Sequence, residues 1–504
     1  MTLRVRLLRL VPIALFLSSP AGAAEPTVIT DSIDVRVVNV EVVATDAKGQ
    51  RVRGLPASDL RLLVDGKEVP IEFFTEVAEG RTVEAQGKAE GGPAAPLPPA
   101  EDVGRNFLVF VDDSFSIASQ RDAVLGKMQE DLKRMRPADQ MAVLAFDGTK
   151  IDVLSPWTAD TSALARAYEA ARQRKAQGDL KLAQHRSMER DISSADEVAE
   201  SQELTAKEYG FLIGWLEARV SPEARSQLGR TVPAIAAALR AFPAPPGRKV
   251  MLMVSGGWSF KVAPQLLGEI LQAANHLGYS VYPVDAASPT PETTRFLDGV
   301  AGLTGGKVVN VTLKQAPFEQ VVEDSGSYYW LGFTPSWKGD DRGHLVKVEA
   351  KRTGVILRAR SSFTDLSRRV ENALQAESVL LFGGSSDKGK LLVELGEARP
   401  AGRKMVEVRV TLGVPVESLV LTPSDDGGYI AEIPLAIVAS DEKGGRSELP
   451  TARLRVALRE VPSGHGYARF RTTVKLRSVP QKLIFTVQDV GEGGALWGEA
   501  AFKP

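Results

Sequence analysis

The alternation of apolar and polar residues changes twice along the chain. Residues 33–43 read IDVRVVNVEVV, the apolar–polar alternation typical of a half-buried strand, and shorter runs follow at 60–64 and 71–74. Residues 25–78 are therefore predicted to form a small N-terminal β module. Residues 79–104 are rich in Gly, Pro and Ala, cannot supply a core, and are predicted to be a linker.

The second region begins with continuous apolar runs, which indicate strands buried on both faces of a parallel sheet. These runs occupy 107–111, 141–146, 249–254 and 279–284, with helical patterns between them. Strands that alternate with helices predict right-handed crossovers and a doubly wound, mostly parallel sheet of the α/β class. The domain is predicted to span 105–365, because the strand patterns that begin near Ser325 are interpreted as an extension or edge of this sheet.

Two further segments complete the predicted organisation. Residues 160–230 are rich in Ala, Arg, Lys, Glu and Gln, which are strong helix formers, and are predicted to form a helical insertion in the sheet domain. Its charges favour a solvated helix face over a docking surface. Residues 376–504 contain short strand patterns separated by Gly-rich turns, which predict an antiparallel β-sandwich.

The first 23 residues have the plan of a secretory signal peptide. Arginines precede a short apolar run at 10–17, and Ala21-Gly22-Ala23 forms a small-residue cleavage signal. The run is too short to cross a bilayer, and no later segment is long and apolar enough to do so. We therefore expect cleavage near Ala23 and a mature protein that is secreted or periplasmic, without a membrane span.

Composition removes several functional classes. The 504 residues carry a formal net charge of −1, which argues against nucleic acid as the main partner. Cysteine is absent, which excludes disulfides, thiolate metal sites and cysteine nucleophiles. No two of the four histidines lie close enough in sequence to form a metal-binding pair, and His344, before a strand, shows no partners in the logic of a catalytic triad. We expect a protein without catalytic activity.

Candidate chemistry lies directly after the first buried run, in the string FVDDSFS. Asp112, Ser114 and Ser116 follow the strand in D-x-S-x-S spacing, at the sheet edge where open α/β sheets place their ligand sites. Carboxylate and hydroxyl oxygens suit a hard divalent cation. Asp and Ser are also favoured at helix N-termini, so helix capping is the alternative interpretation.

The D-x-S-x-S string resembles the metal-ion-dependent adhesion site of von Willebrand factor type A domains. The resemblance implies Mg²⁺ held by Asp112, Ser114 and Ser116, with Thr231 as a ligand from a second loop. On the third loop, Ser255 stands where the family commonly has Asp. Losing that carboxylate removes roughly 1–4 kcal/mol of attraction, so weak Mg²⁺ binding or a metal-free site is expected.

A narrower resemblance covers residues 33–363. The strings RVVNVEVVATDAKGQRVRGLPASDLRLLVDGK, FVDDSFS, PPGRKVMLMVSGGW, AANHLGYSVYPVDA, LTGGK, YYWLGFTP and GVILRARSSF occur in that order. Together they resemble the secreted VWFA-related proteins of acidobacteria. This resemblance implies an exported protein with an N-terminal β module and a type A domain.

These observations leave three functional hypotheses. The first is an exported binding protein for adhesion or assembly, in which a carboxylate of a protein ligand completes the shell of a cation at Asp112. The second is a metal-independent structural scaffold of a cell-surface or periplasmic assembly, which Ser255 favours. A hydrolase with an unrecognised site is the remote third.

Overall fold

The computed structural model describes residues 27–28, 37–83, 102–179, 183, 222–242, 244–258, 267–287, 291–309, 316–337, 339–382, 391–424, 427–441, 446–448, 452–460, 466–490 and 494–504. The predicted signal peptide, most of the predicted linker and the middle of the predicted insertion lie outside these residues. Within these ranges, no helix has the length and apolar character needed to cross a membrane.

The strands and helices of the described residues have the following bounds. The strands are β1 (Thr27–Val28), β2 (Val38–Thr45), β3 (Leu60–Val64), β4 (Lys67–Val69), β5 (Phe73–Ala78), β6 (Arg81–Val83), β7 (Arg105–Asp112), β8 (Gln140–Phe146), β9 (Ile151–Thr158), β10 (Arg248–Ser255), β11 (Tyr279–Asp285), β12 (Tyr328–Phe333), β13 (Arg342–Ala350), β14 (Ile356–Ala359), β15 (Ser362–Asp365), β16 (Leu392–Pro400), β17 (Met405–Pro415), β18 (Val420–Pro423), β19 (Tyr429–Asp441), β20 (Arg446–Glu448), β21 (Ala452–Leu458), β22 (Tyr467–Arg477), β23 (Gln481–Val490) and β24 (Gly494–Phe502). The helices are α1 (Ala118–Glu130), α2 (Thr161–Arg172), α3 (Pro222–Ala241), α4 (Leu267–Leu277), α5 (Pro291–Leu303), α6 (Pro317–Ser325) and α7 (Arg368–Phe382).

The central sheet has the strand order β11-β10-β7-β8-β9. Strands β11, β10, β7 and β8 are parallel, and β9 joins β8 antiparallel at the edge. Every residue of β7 is buried, as its continuous apolar run predicts for the middle of a covered sheet. The α/β class predicted from the sequence is confirmed.

Helices cover both faces of this sheet. On one face α3, α4 and α5 pack through residues such as Ile235, Ile270 and Phe296. On the other face α1, α2 and α6 pack through residues such as Leu125 and Phe318. Because each strand sends alternate side chains to opposite faces, the two cores are built from the same strands, and the sheet is doubly wound.

The strands of residues 328–365 do not extend the central sheet, so the predicted boundary of the sheet domain at 365 is wrong. Strand β12 lies between β2 and β5, and β13 pairs with β3, all antiparallel. The resulting sheets, β14-β2-β12-β5-β6 and β15-β13-β3-β4, share a core that includes Val40, Leu62, Leu331 and Val346. The α/β domain is thus inserted into the N-terminal β module. Alternating polarity predicts a strand, but it does not say which distant strand will pair with it.

The predicted insertion at 160–230 is too long at both ends. Helix α2 belongs to the sheet domain, because Leu164, Tyr168 and Ala171 pack into the core with helical spacing. Helix α3 begins at Pro222, inside the predicted insertion, and continues to Ala241 in the sheet domain. Alanines form part of the apolar faces of these helices. Because alanine is small, the composition alone indicated a solvated segment.

The C-terminal region forms two sheets over a shared core. One has the order β16-β17-β22, and the other contains β1-β18-β19-β23-β24, with β20 and β21 paired to β19. Residues such as Val410, Leu435 and Phe485 meet between them. Helix α7 crosses the predicted domain boundary at residue 376 and packs on the second sheet through Ala376 and Val379.

Candidate functional site

Two of the predicted site residues meet at the carboxyl edge of the central sheet. Asp112 is the last residue of β7 and Ser255 the last residue of the neighbouring parallel strand β10. Ser255 Oγ donates a hydrogen bond of 2.8 Å to Asp112 Oδ2. Parallel strands end at the same edge, so the sheet itself brings this carboxylate and this hydroxyl together.

Both oxygens of the Asp112 carboxylate accept hydrogen bonds from the protein. Oδ1 accepts the backbone N–H groups of Ser114 and Phe115, at 3.0 and 3.3 Å. Ser255 Oγ in turn accepts the N–H of Gly257 at 3.1 Å. Burial raises the pKa of Asp112 to about 6, although the Ser255 hydroxyl and the two backbone N–H groups oppose the rise.

The neighbouring carboxylate, Asp113, is held between two arginines. Arg121 Nη1 donates to Asp113 Oδ1 and Arg174 Nε to Oδ2, both at 2.6 Å. Burial still raises the pKa of Asp113, but the two guanidinium groups stabilise its charge. Arg121 is 1% exposed and also donates to the backbone oxygens of Arg172 and Arg174.

Sequence reasoning missed both arginines. The signal for Arg121 is its position on α1, where it lies on the buried face that carries Val124, Leu125 and Met128. A charged residue among the apolar positions of a helix requires a buried partner. The signal for Arg174 is absent, because it follows the end of α2 in a stretch that contains several other basic residues.

The first residues after α2 lie across the D-x-S-x-S loop. The N–H of Gln177 donates to Asp113 O at 2.7 Å, and the N–H of Gly178 donates to Ser116 O at 3.1 Å. A Cβ atom at Gly178 would lie 2.4 Å from Ser116 O, so only glycine allows this approach. The start of the predicted insertion therefore covers the candidate site instead of pointing away from it.

The remaining predicted ligands are also buried. Ser114 is 1% and Ser116 0% exposed, and Ser116 Oγ has no hydrogen-bond partner among the described residues. Thr231 is buried but lies in the middle of α3, so its predicted position on a loop before a helix is wrong. Pro233 lies inside this helix, although proline is favoured in the first turn of helices.

Two other acidic residues at this edge close turns of their own loops. Asp147 Oδ1 accepts the N–H groups of Thr149 and Lys150 at 2.8 and 2.9 Å. Asp285 Oδ1 accepts the N–H of Ala287 at 2.8 Å. These contacts are the local capping that short acidic side chains commonly make.

The divalent cation that the sequence resemblance implies does not fit this arrangement. A hard cation needs oxygens with free lone pairs and enough negative charge to replace its hydration. Both oxygens of Asp112 already accept hydrogen bonds from protein donors, and two arginines form ion pairs with Asp113. Within the described ranges there is no group of three or more His, Cys, Asp or Glu residues that could hold a metal ion. The Ser116 hydroxyl is the feature that would suit a cation.

The sequence matches no protein-family model and no curated protein. The solved structures that are similar to part of the chain include the following three. The TFIIH p34 N-terminal domain has 11% identity and a TM-score of 0.23, and the match covers 44% of this chain and 95% of that one. The SpRpn10 VWA domain has 9% identity and a TM-score of 0.21, with the same coverages of 44% and 95%. The PilB minor pilin from Streptococcus sanguinis has 9% identity and a TM-score of 0.24, covering 58% and 78%. At these TM-scores the likeness carries no argument about function.

Proposed function

We propose that this protein is an exported, non-catalytic binding scaffold of a cell-surface or periplasmic assembly, whose α/β domain works without a divalent cation. The observation that carries the proposal is the hydrogen bond from Ser255 to Asp112. It gives the carboxylate a protein donor at the place where a type A adhesion site would use a cation.

The hydrogen bonds around Asp112 and Asp113 hold several segments of the domain together. They connect the ends of β7 and β10 with the residues that follow α2, through Ser255, Arg121 and Arg174. Buried, charge-assisted hydrogen bonds hold the segments that they connect in one arrangement. The carboxyl edge of the sheet, with residues 174–178 lying across it, would then offer a protein partner a fixed surface.

Export is supported by residues 1–23, with their basic start, short apolar run and Ala21-Gly22-Ala23. Mass spectrometry of the protein recovered from its host should give a chain that begins at Ala24. Recovery of the intact chain from the cell interior would contradict export.

The non-catalytic part of the proposal has to account for His276 and His344. Nε2 of His276 lies 2.9 Å from Glu371, and Nδ1 of His344 lies 2.8 Å from Asp65. A triad would need a serine hydroxyl at the other ring nitrogen, but His276 Nδ1 contacts the backbone oxygen of Thr364 and His344 Nε2 contacts Asp340. Hydrolysis of any substrate in a broad panel, abolished by a single substitution, would revive the hydrolase hypothesis.

A second candidate function is cation-dependent adhesion, as the resemblance implies. The buried Ser116 hydroxyl favours it, because a buried hydroxyl without a partner is costly and a cation would use its oxygen.

Partner capture separates the two functions. The mature protein would be immobilised and exposed to envelope extract of its host, in parallel with excess EDTA and with excess Mg²⁺, with Asp112→Asn as a matched variant. We expect the same partners under both conditions and with both proteins. Partners lost in EDTA and restored by Mg²⁺ would support the adhesion site instead, and no specific partner in either condition would count against a binding role.

A further inference from the structure

A cavity of about 190 Å³ lies at the opposite edge of the central sheet from Asp112. Its walls come from the amino ends of β10 and β11 on one side, including Lys249 and Tyr279. The N-terminal β module supplies the other side, including Glu41 of β2 and Trp330 of β12. The cavity therefore exists only where the inserted α/β domain meets the β module.

The charges around the cavity do not balance. Glu41 is paired with Arg248, with Oε2 and Nε 3.1 Å apart. Lys249 and Arg360 line the cavity and form no ion pair within the described ranges, donating instead to the backbone oxygens of Leu277 and Asn275, at 2.9 and 2.6 Å. Among the residues that line the cavity, Lys249 and Arg360 stand against the single carboxylate of Glu41, which leaves an excess of positive charge.

The same cavity is lined by residues whose buried donors have no partner. Arg360 Nε, the indole N–H of Trp330 and the hydroxyl of Tyr279 are all buried without a hydrogen bond among the described residues. A buried donor left without an acceptor costs free energy. The cavity-lining residues also include one unpaired acceptor, Glu41 Oε2, so the three unpaired donors outnumber it and indicate that a further acceptor belongs there.

The pKa directions agree with this geometry. Burial lowers the pKa of Arg360 to about 10, and Glu41 opposes the change only in part. Burial likewise lowers the pKa of Lys249, against the attraction of Glu41. The surrounding protein therefore does not fully stabilise the charged forms of Lys249 and Arg360, and a bound anion would stabilise them.

We propose that this cavity binds a small organic carboxylate. The carboxylate oxygens would accept from Arg360, Lys249 and Trp330, whose donors match a planar anion. The side chains of Val38, Leu277 and Phe363 line the same space and provide apolar contacts for a carbon skeleton. An apolar wall is of little use to an inorganic anion, which is why an organic carboxylate is favoured over phosphate. The proposal is independent of the function proposed above.

Calorimetric titration of the mature full-length protein tests the proposal with three probes at matched ionic strength: benzoate, succinate and inorganic phosphate. We expect saturable binding of at least one carboxylate at up to millimolar concentration. Lys249→Met should weaken it about tenfold or more, since a charge-assisted hydrogen bond is lost. Trp330→Phe should weaken it severalfold, because the indole donor is lost. Since the smaller ring also gives up contact with Tyr328, thermal unfolding checks that the unliganded variant remains folded. Lys347→Met, on the exposed face of β13, is the matched control and should bind like the wild type.

Three results would overturn the proposal. The first is the absence of saturable binding by both carboxylates in the folded wild type. The second is saturable binding of phosphate alone, which would make the cavity a site for inorganic anions. The third is carboxylate binding that is unchanged in both Lys249→Met and Trp330→Phe, which would place the ligand elsewhere. The Trp330→Phe variant keeps the test decisive even if Lys249→Met does not fold.

Discussion

Ser255 Oγ and Asp112 Oδ2 lie 2.8 Å apart at the ends of two neighbouring parallel strands, with the hydroxyl donating to the carboxylate. A carboxylate at position 255 would instead face Asp112 with a like charge, which is stable only with a shared proton or a cation between the two groups. A hydroxyl supplies a donor and no charge. Ser255 thus forms a hydrogen bond to Asp112 without a cation, and this bond accounts for the proposed independence from a cation.

Ser255→Asp should introduce a dependence on a divalent cation. Two carboxylates at hydrogen-bond distance repel each other, and the expected loss of unfolding free energy in EDTA is about 1–4 kcal/mol. Saturating Mg²⁺ should restore much of it, whereas the wild type should unfold at the same temperature with or without Mg²⁺. Thermal unfolding measures both, with Ser255→Asn as the uncharged control. A variant that is equally stable in EDTA and Mg²⁺ would refute this explanation of Ser255.

The stability of the protein should depend on pH through Asp112. Its pKa is about 6 in the folded protein, against an ordinary value of 3.8. Because the folded pKa is raised, the contribution of the protonated group is fully present below pH 3.8 and is lost as the pH rises through about 6. The shift corresponds to roughly 3 kcal/mol.

Asp112→Asn isolates this contribution, because Asp113 and the other acids titrate in both proteins. We expect the unfolding free energy of the wild type, relative to the variant, to fall by up to that amount as the pH is raised from acidic to neutral. Urea denaturation across this range measures the difference. A difference that is constant with pH would show that Asp112 does not titrate as described.

Removing a buried guanidinium group should cost much more than removing an exposed one. Arg121→Met leaves Asp113 with one of its two cationic partners, and a broken buried ion pair costs about 3–5 kcal/mol. Arg81→Met removes an ion pair with Asp102 whose side chains are 70% and 60% exposed, so its effect should be below about 1 kcal/mol. Urea denaturation compares the two variants, and equal losses of unfolding free energy would argue against a stabilising role of the ion pairs around Asp113.

Gly178→Ala should lift the covering residues away from the D-x-S-x-S loop. The new Cβ would meet the backbone of Ser116, which cannot move as a flexible side chain does. We expect faster amide hydrogen exchange at residues 113–117 and 177–178. Gly268→Ala, on α4 with open space around its Cβ position, is the control and should leave exchange in this loop unchanged. Unchanged exchange in Gly178→Ala as well would mean that the cover is not held at this glycine.

The sequence predicts the central sheet well because its strands are buried on both faces, and such strands show as continuous apolar runs. The positions of Asp112 and Ser255 follow from that pattern, since each directly ends such a run. Thr231 could not be placed in the same way. Its helix begins in a stretch of charged residues, and Pro233 inside the helix imitates a helix start.

The partners of strands β12–β15 and the cavity beside Lys249 could not be predicted from the sequence. Both depend on the pairing of β2 with β12, which joins residues 38–42 to residues 329–333 across the whole inserted domain. Alternation shows which face of each strand is buried, but it does not identify the strand with which it will pair. The same holds for Glu41 and Arg248, whose ion pair exists only after the two regions have met.

Titration of the mature wild-type protein with Mg²⁺ in a calorimeter tests the central claim most directly, because Asp112 and Ser116 are the groups that a cation would have to engage. The closed hydrogen bonds of Asp112 predict heats no larger than those of dilution, in the wild type and in Ser116→Ala alike. Saturable Mg²⁺ binding by the wild type that disappears in a folded Ser116→Ala variant would contradict the account and restore the adhesion site.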